Sequence, residues 1–212
     1  MSFWSRLFKQ SVADKAMKEG ARLIWRIVED EAFQNDMLPP EFSDPIKKGI
    51  AVDALPNATG PFGREPTNPI PVNGAIGELA YLSSLESLEG CNLLFHRLGA
   101  INTVDVFEVV TTDSRHWEVL YFHCYHPSKS KLAPAGFRIG PPRQFSGFHT
   151  FCPQFPYDFD ENKSAAPDML RLAYVPRETI RNALRQASFD RPVSHERKVA
   201  AVKTLLTSFV PA

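Results

Sequence analysis

Two runs of β-branched and aromatic residues, separated by a short turn, constrain the fold of this chain more than any other feature. The first run covers residues 104–111 and the second covers residues 117–125. Residues of these types favour strands, and Thr112, Asp113 and Ser114 between the runs are typical turn formers. The pattern therefore predicts an antiparallel β-hairpin in the middle of the chain.

Three further segments have the composition of strands, at residues 78–85, 93–98 and 169–175. The turn expected at Glu89-Gly90 makes the connection between the first two of them short, and local connections favour antiparallel pairing. We predict an α+β fold in which an antiparallel sheet, a meander of four to five strands, packs against N- and C-terminal helices.

The spacing of apolar residues predicts helices over residues 2–36, 176–188 and onward from Ser194. Pro39-Pro40 ends the first helix, because proline lacks a backbone donor and clashes with the preceding turn. We divide the chain into an N-terminal amphipathic helix (1–38), a proline-rich linker or long loop (39–75) and an α+β core domain with C-terminal helices (76–212).

Composition excludes several classes of protein. With 43% hydrophobic residues the 212-residue chain can bury a sizeable core, and wholesale disorder is not expected. Its 24 basic and 24 acidic residues balance, so no overall field attracts nucleic acid. The arginines at 177, 181 and 185 form a helical stripe, which is more typical of the solvated face of an amphipathic helix. We expect nucleic acid not to be a partner.

The three cysteines are widely spaced and include no CxxC pair, which supports neither a zinc ribbon nor a disulfide framework. Reduced thiols are typical of cytoplasmic proteins. The charged N-terminus does not resemble a signal peptide, and no run approaches the roughly 18 apolar residues of a membrane span. We therefore expect a cytoplasmic protein without a metal or another cofactor.

The second strand of the hairpin carries or adjoins most of the reactive side chains, namely His116, His123, Cys124 and His126. Because neighbours on a strand point to opposite faces, Cys124 and His126 share one face and His123 lies on the other. Cys124 and His126 are thus the candidate catalytic residues, as a nucleophilic Cys–His pair or as two ligands of a metal ion. A zinc site needs three or four ligands, which distant residues such as His96 or His149 would have to complete.

Glu78 and Glu108 fall on predicted strands and are candidate paired acids, although a glutamate on the wet face of a strand is the simpler interpretation. The chain contains no phosphate-binding glycine-rich loop, no GxSxG and no HExxH.

A proline-rich segment with many aromatic residues is the candidate contact surface for a ligand or partner. Its aromatic residues include Phe145, Phe148, Phe151, Phe155 and Tyr157. Flat apolar rings with few charges suit a ligand pocket or an interface. The alternative is that these rings cover one open face of the sheet as part of the core.

The first nine residues are a second candidate surface, because Trp4 and Phe8 lie among basic residues on one predicted helix. Residues 2–9 can lie in a membrane interface, dock in a groove of another protein or mediate a homodimer. They can equally pack on their own domain.

These features lead to three functional hypotheses. The leading one is a non-catalytic binding or interaction domain that uses the aromatic segment, the N-terminal helix or both, with a protein partner or a second copy of the chain. The alternative is an enzyme with a His/Cys site, with or without a metal ion, at the end of strand 117–126. The third is a peripheral membrane protein anchored by residues 2–9.

Overall fold

The structure, a computed structural model, describes the backbone of residues 3–158 and 168–208, and the side chains of residues 15–158 and 170–208. The helices are α1 (Phe3–Glu29), α2 (Glu31–Asp36), α3 (Pro40–Lys48), α4 (Gly74–Ser84), α5 (Asp168–Arg171), α6 (Arg177–Gln186) and α7 (Val193–Ser208). The strands are β1 (Ile70–Pro71), β2 (Leu85–Ser87), β3 (Leu93–Ile101), β4 (Val104–Thr111), β5 (Trp117–His123), β6 (Phe137–Ile139) and β7 (Gly147–Phe148).

The main sheet has the strand order β1-β5-β4-β3-β7. Its three long central strands form the predicted antiparallel meander, but β1 runs parallel to β5 and β7 runs parallel to β3. The prediction of an antiparallel sheet is therefore only partly right, since the sheet is mixed. Both parallel strands are two residues long and reach the sheet edge from irregular segments, so no hairpin pattern in the sequence marks them.

Residues 78–85 are not a strand, because all of them except Leu85 belong to helix α4. Every residue of α4 except Ala75 is buried, so the helix lacks the amphipathic pattern that reveals a surface helix. A short apolar run of this kind cannot be assigned to helix or strand by periodicity alone.

The strand predicted at 169–175 is also wrong. Its first residues belong to α5, and Tyr174 forms only an isolated bridge with Phe145.

The proline-rich residues 39–75 contain α3 and β1 and lie against the core. The backbone N–H of Tyr121 in β5 donates to the carbonyl of Gly63 at 2.9 Å. The hydroxyl of Ser130 donates to the carbonyl of Asp53 at 2.7 Å. Both contacts join this segment to residues more than 50 positions away, and the first places it along the edge of the sheet beside β5.

Alternate residues of β4 pack into separate cores on the two faces of the sheet. Phe107 and Val109 pack with α1 and α4 on one face of the sheet, whereas Val106 packs with Val199 and Val202 of α7 on the other. The sheet is therefore covered by helices on both faces, the arrangement that buries both sets of side chains of a central strand. Among the described helices, none is long and apolar enough to cross a membrane.

Candidate functional site

A cavity of about 450 Å³ opens between α3, the start of α4 and the adjoining ends of the central strands. Its volume lies within the range of about 300–1,000 Å³ typical of small-molecule sites. Its walls are mainly apolar and include Leu38, Phe42, Ile46, Ala75 and Ala100. The charged and polar side chains that line it include Arg97, Asp105, Cys124 and His149. Apolar walls with a few convergent polar groups are characteristic of a binding or active site.

Glu78 of α4 lies beside these charged and polar side chains and is fully buried. Its Oε2 accepts a hydrogen bond from His149 Nε2 at 2.7 Å. Its Oε1 has no hydrogen-bond partner within the described part of the chain. Burial raises the pKa of Glu78 to about 7, although the bond from His149 opposes the rise. A buried carboxylate with an unpartnered oxygen is costly for the fold, which is typical of functional sites.

Asp105 of β4 is held between two cationic side chains. Its Oδ1 accepts from Arg97 Nε at 3.1 Å and from Arg97 Nη2 at 2.6 Å, and its Oδ2 lies 3.4 Å from His149 Nε2. Burial alone would raise the pKa of Asp105, but the bonds from His149 and Arg97 outweigh it and hold the pKa at about 2. Asp105 is therefore a carboxylate at neutral pH.

His149 follows β7 and points one ring nitrogen at both acids. Burial would lower its pKa, but the bonds to Asp105 and Glu78 raise it to about 9. No hydrogen bond to Nδ1, the second ring nitrogen, is found among the described residues. His149 also lines the cavity, so its ring can contact a molecule bound there.

Cys124 lies just beyond β5 and near both acids. One ligand atom from each of Glu78, Asp105 and Cys124 lies within 4.8 Å of the others. Burial raises the pKa of the Cys124 thiol, and the nearby charges of Glu78 and Asp105 raise it further. The thiolate is the nucleophilic form of cysteine, so this environment does not activate Cys124 as a nucleophile.

Tight packing at the start of α4 fixes the position of these groups. Gly74 has a φ of +69°, and its N–H donates to the carbonyl of Cys124 at 2.9 Å. A Cβ atom at this position would lie 2.7 Å from Leu38 Cδ1 and 2.8 Å from Ile46 Cδ1. Only glycine combines this backbone conformation with such close approach at low cost.

Buried amides connect the same turn to α2. Asn73 Nδ2 donates to Gln34 Oε1 at 2.8 Å and to Asn35 Oδ1 at 3.0 Å. Because all three side chains are buried, their hydrogen bonds are largely protected from competition with water. They hold the first turn of α4, and with it Glu78, against α2.

The candidate catalytic residues Cys124 and His126 lie in different surroundings. Cys124 lines the cavity, whereas His126 Nδ1 donates to the carbonyl of Ile50 at 2.9 Å. Strand β5 ends at His123, so strand alternation no longer separates the rings of His123 and His126. Their nitrogens Nδ1 and Nε2 lie 2.9 Å apart. The structure thus pairs His126 with His123 and places Cys124 with Glu78 and Asp105.

The candidate acids Glu78 and Glu108 also lie apart. Glu108 in β4 accepts from His96 Nε2 at 2.9 Å and from His195 Nε2 at 3.0 Å, on the face of the sheet that α7 covers. The sequence predicts His149 only as a distant ligand and does not indicate Asp105 or Arg97. The available signal for Asp105 was an aspartate inside an otherwise β-branched and aromatic strand, a position where aspartate is depleted.

The aromatic candidates divide between core and surface. Phe145 and Phe155 are buried and Phe148 is partly buried, whereas Phe151 is 42% exposed and Tyr157 is 57% exposed. The backbones of Trp4 and Phe8 belong to α1, but their side chains lie outside the described residues.

Comparison with protein-family models, with curated proteins and with solved structures finds no match to this chain.

Proposed function

We propose that this protein is an enzyme that acts on a small, partly apolar substrate in the cavity lined by Asp105, Cys124 and His149. The observation that supports this proposal is the hydrogen-bonded arrangement of Glu78, His149 and Asp105 beside the cavity. These three side chains come from α4, from the segment after β7 and from β4, so their meeting depends on the whole fold. The proposal keeps the predicted location at the end of β5 but assigns different partners to Cys124.

In this proposal each residue has a distinct role. Glu78 and Asp105 hold the His149 ring by Nε2, which leaves Nδ1 to donate a hydrogen bond or a proton to substrate. Arg97 fixes Asp105 through two hydrogen bonds to one oxygen. The apolar walls bind the rest of the substrate and reduce the water around the reacting groups, which strengthens their electrostatic interactions. Hydrolysis is the simplest reaction that uses a positioned histidine in a pocket with apolar walls.

A panel of chromogenic carboxylic esters, phosphate monoesters and phosphate diesters tests the proposal. We expect the full chain to hydrolyse at least one of these classes, and His149→Gln to lower kcat/KM by about 10²–10⁴-fold, the usual contribution of a positioned acid or base. His116→Gln is the matched control, because His116 is an exposed histidine outside the cavity. Equal activity in the two variants, or no turnover of any class by the unmodified chain, would contradict the proposal.

A second candidate function is binding of a protein partner, most simply a second copy of the chain, through the exposed rings of Phe151 and Tyr157. Exposed aromatic residues are enriched at protein interfaces. Lys203 Nζ lies 4.7 Å from the centre of the Phe151 ring, which adds a cation to this surface.

Light scattering over a dilution series tests this second function. We expect a dimer that the double change Phe151→Ala and Tyr157→Ala converts to a folded monomer, with a lower Tm because Tyr157 Oη accepts from the N–H of Phe189. A monomer at all concentrations would contradict a role in self-association.

A further inference from the structure

We propose that Glu78, Asp105 and Cys124 bind one divalent metal ion of the zinc type at the floor of the cavity. This inference rests on the proposed function, because it supplies the electrophile of the same site. It assigns Cys124 as a metal ligand rather than as a nucleophile.

The first support is the geometry of the potential ligand atoms. Carboxylate oxygens of Glu78 and Asp105 and the sulfur of Cys124 lie within 4.8 Å of one another. Bonds of about 2.0–2.3 Å to zinc place tetrahedral ligands less than 4 Å apart, so small side-chain movements complete the site. The three residues come from α4, from β4 and from the end of β5, and the close packing around Gly74 fixes the distance between the first and the last of them.

The second support is the unsatisfied oxygen of Glu78. This side chain is completely buried, and Oε1 lacks a hydrogen-bond partner among the described residues while Oε2 is bound to His149. A buried polar atom without a partner needs a specific explanation, such as a bound ion. An ion between Glu78, Asp105 and Cys124 would provide the missing contact.

The surroundings also suit a metal ion. His149 donates to Glu78, and Arg97 donates to Asp105. Such outer hydrogen bonds orient the ligands and are a regular feature of metal sites. Two carboxylates and one thiolate bring three negative charges, and they face four positive charges, two on the ion and one each on Arg97 and His149. When the metal–sulfur bond forms, the thiol releases its proton to solvent.

The ligand set favours zinc over the hard cations. Magnesium and calcium prefer oxygen ligands, whereas thiolate ligands select softer ions such as zinc. Three protein ligands leave the fourth tetrahedral position open, as in catalytic rather than structural zinc sites. Asp105 and Cys124 both line the cavity, so the open position faces the space where a substrate binds.

Calorimetric titration of the full chain with Zn²⁺ tests the site without any substrate. We expect one tight site, and at least about tenfold weaker binding in Glu78→Gln and in Cys124→Ser. Cys91→Ser is the matched control for loss of a thiol, since Cys91 lies between β2 and β3 and does not line the cavity. His116→Gln is the control for adventitious zinc, since His116 and Glu89 form an exposed pair. Equal affinity in all variants, or loss only in His116→Gln, would overturn the proposal.

Co²⁺ in place of Zn²⁺ gives a second readout in the unmodified protein. We expect a near-ultraviolet absorption band from sulfur-to-cobalt charge transfer, which Cys124→Ala abolishes and Cys91→Ser preserves. If the Glu78 variant fails to fold, this absorption band still tests the site. A Co²⁺ complex that lacks the band overturns the role of Cys124.

The failure of the metal site and the failure of the enzymatic function can be told apart. Tight zinc binding with no effect of His149→Gln on turnover would refute the enzymatic function alone. Turnover that depends on His149 without zinc binding would refute the metal site alone.

Discussion

At the scale of single residues, Glu108 shows most clearly how this fold holds a buried charge. It is almost completely buried and contacts three basic side chains. His96 and His195 donate to its two oxygens, and Arg191 Nε lies 2.8 Å from Oε1. The N–H of Cys152 donates to His96 Nδ1 at 2.9 Å, so His96 donates to Glu108 through Nε2 while its ring is neutral. Glu108 thus joins β4 to β3 through His96 and to the C-terminal segment through Arg191 and His195.

We expect Glu108→Gln to lower the free energy of unfolding by about 3 kcal/mol, at the lower end of the cost of breaking a buried ion pair, because glutamine keeps the shape of the side chain. Asp36→Asn is the control, since it breaks an exposed pair with Lys47 and should cost less than about 1 kcal/mol. Urea unfolding of the two variants measures the difference. Similar losses would show that the buried pair contributes no more than a surface pair.

The low pKa of Glu108 predicts that the stability of the protein depends on pH. Burial alone would raise the pKa of Glu108, but the bonds from His195 and His96 and the charge of Arg191 outweigh it and hold the pKa at about 2 in the folded chain, against an ordinary value of 4.5. A lowered pKa stabilises the fold fully above pH 4.5, and this contribution is lost as the pH falls towards 2. The stability gap between the unmodified chain and Glu108→Gln should therefore close over this interval. A gap that stays constant would contradict the assignment.

At the scale of elements, the start of α4 is the most constrained position in the candidate site. Gly74 adopts a positive φ and leaves no space for a Cβ atom between Leu38 and Ile46. We expect Gly74→Ala to destabilise the protein by about 2–5 kcal/mol, since strain at a left-handed φ costs roughly 1–2 kcal/mol and overpacking roughly 1–3 kcal/mol.

Gly20→Ala is the matched control for Gly74→Ala. Gly20 lies inside α1, and nothing lies within 4 Å of a Cβ atom there, so alanine should stabilise the helix by about 0.5–1 kcal/mol. Calorimetric unfolding of both variants compares them. The interpretation of the α4 turn is wrong if both substitutions change Tm in the same direction.

Elements with a strong local pattern could be predicted from sequence. The hairpin of β4 and β5, the turn at 112–114 and the helix that follows Pro176 all carry patterns that nearby residues complete. Helix α4 could not be predicted, because it is buried on nearly all sides and shows no polar face. Strands β1 and β7 could not, because each pairs with a strand that is distant in sequence and has only two residues to mark it.

At the scale of the whole molecule, the candidate site illustrates what strand alternation cannot predict. Alternation relates neighbours on one strand: it separates Cys124 from His123, but it also separates His123 from His126, whose ring nitrogens lie 2.9 Å apart because β5 ends at His123. It carries no information about Glu78, Asp105 and His149, which the fold brings to Cys124 from three other segments. The expectation of a non-catalytic domain rests on the aromatic, proline-rich segment and on the absence of local catalytic motifs. A site assembled from distant segments leaves no such motif.

Anomalous X-ray diffraction at the zinc absorption edge, from crystals of the full chain grown with Zn²⁺, tests the location of the chemistry most directly. We expect one strong peak at coordination distance from Glu78, Asp105 and Cys124, on the side that faces the cavity. A strong peak only elsewhere, for example at His116 and Glu89 on the surface, or no peak at all, would contradict a metal-assisted active site at the end of β5.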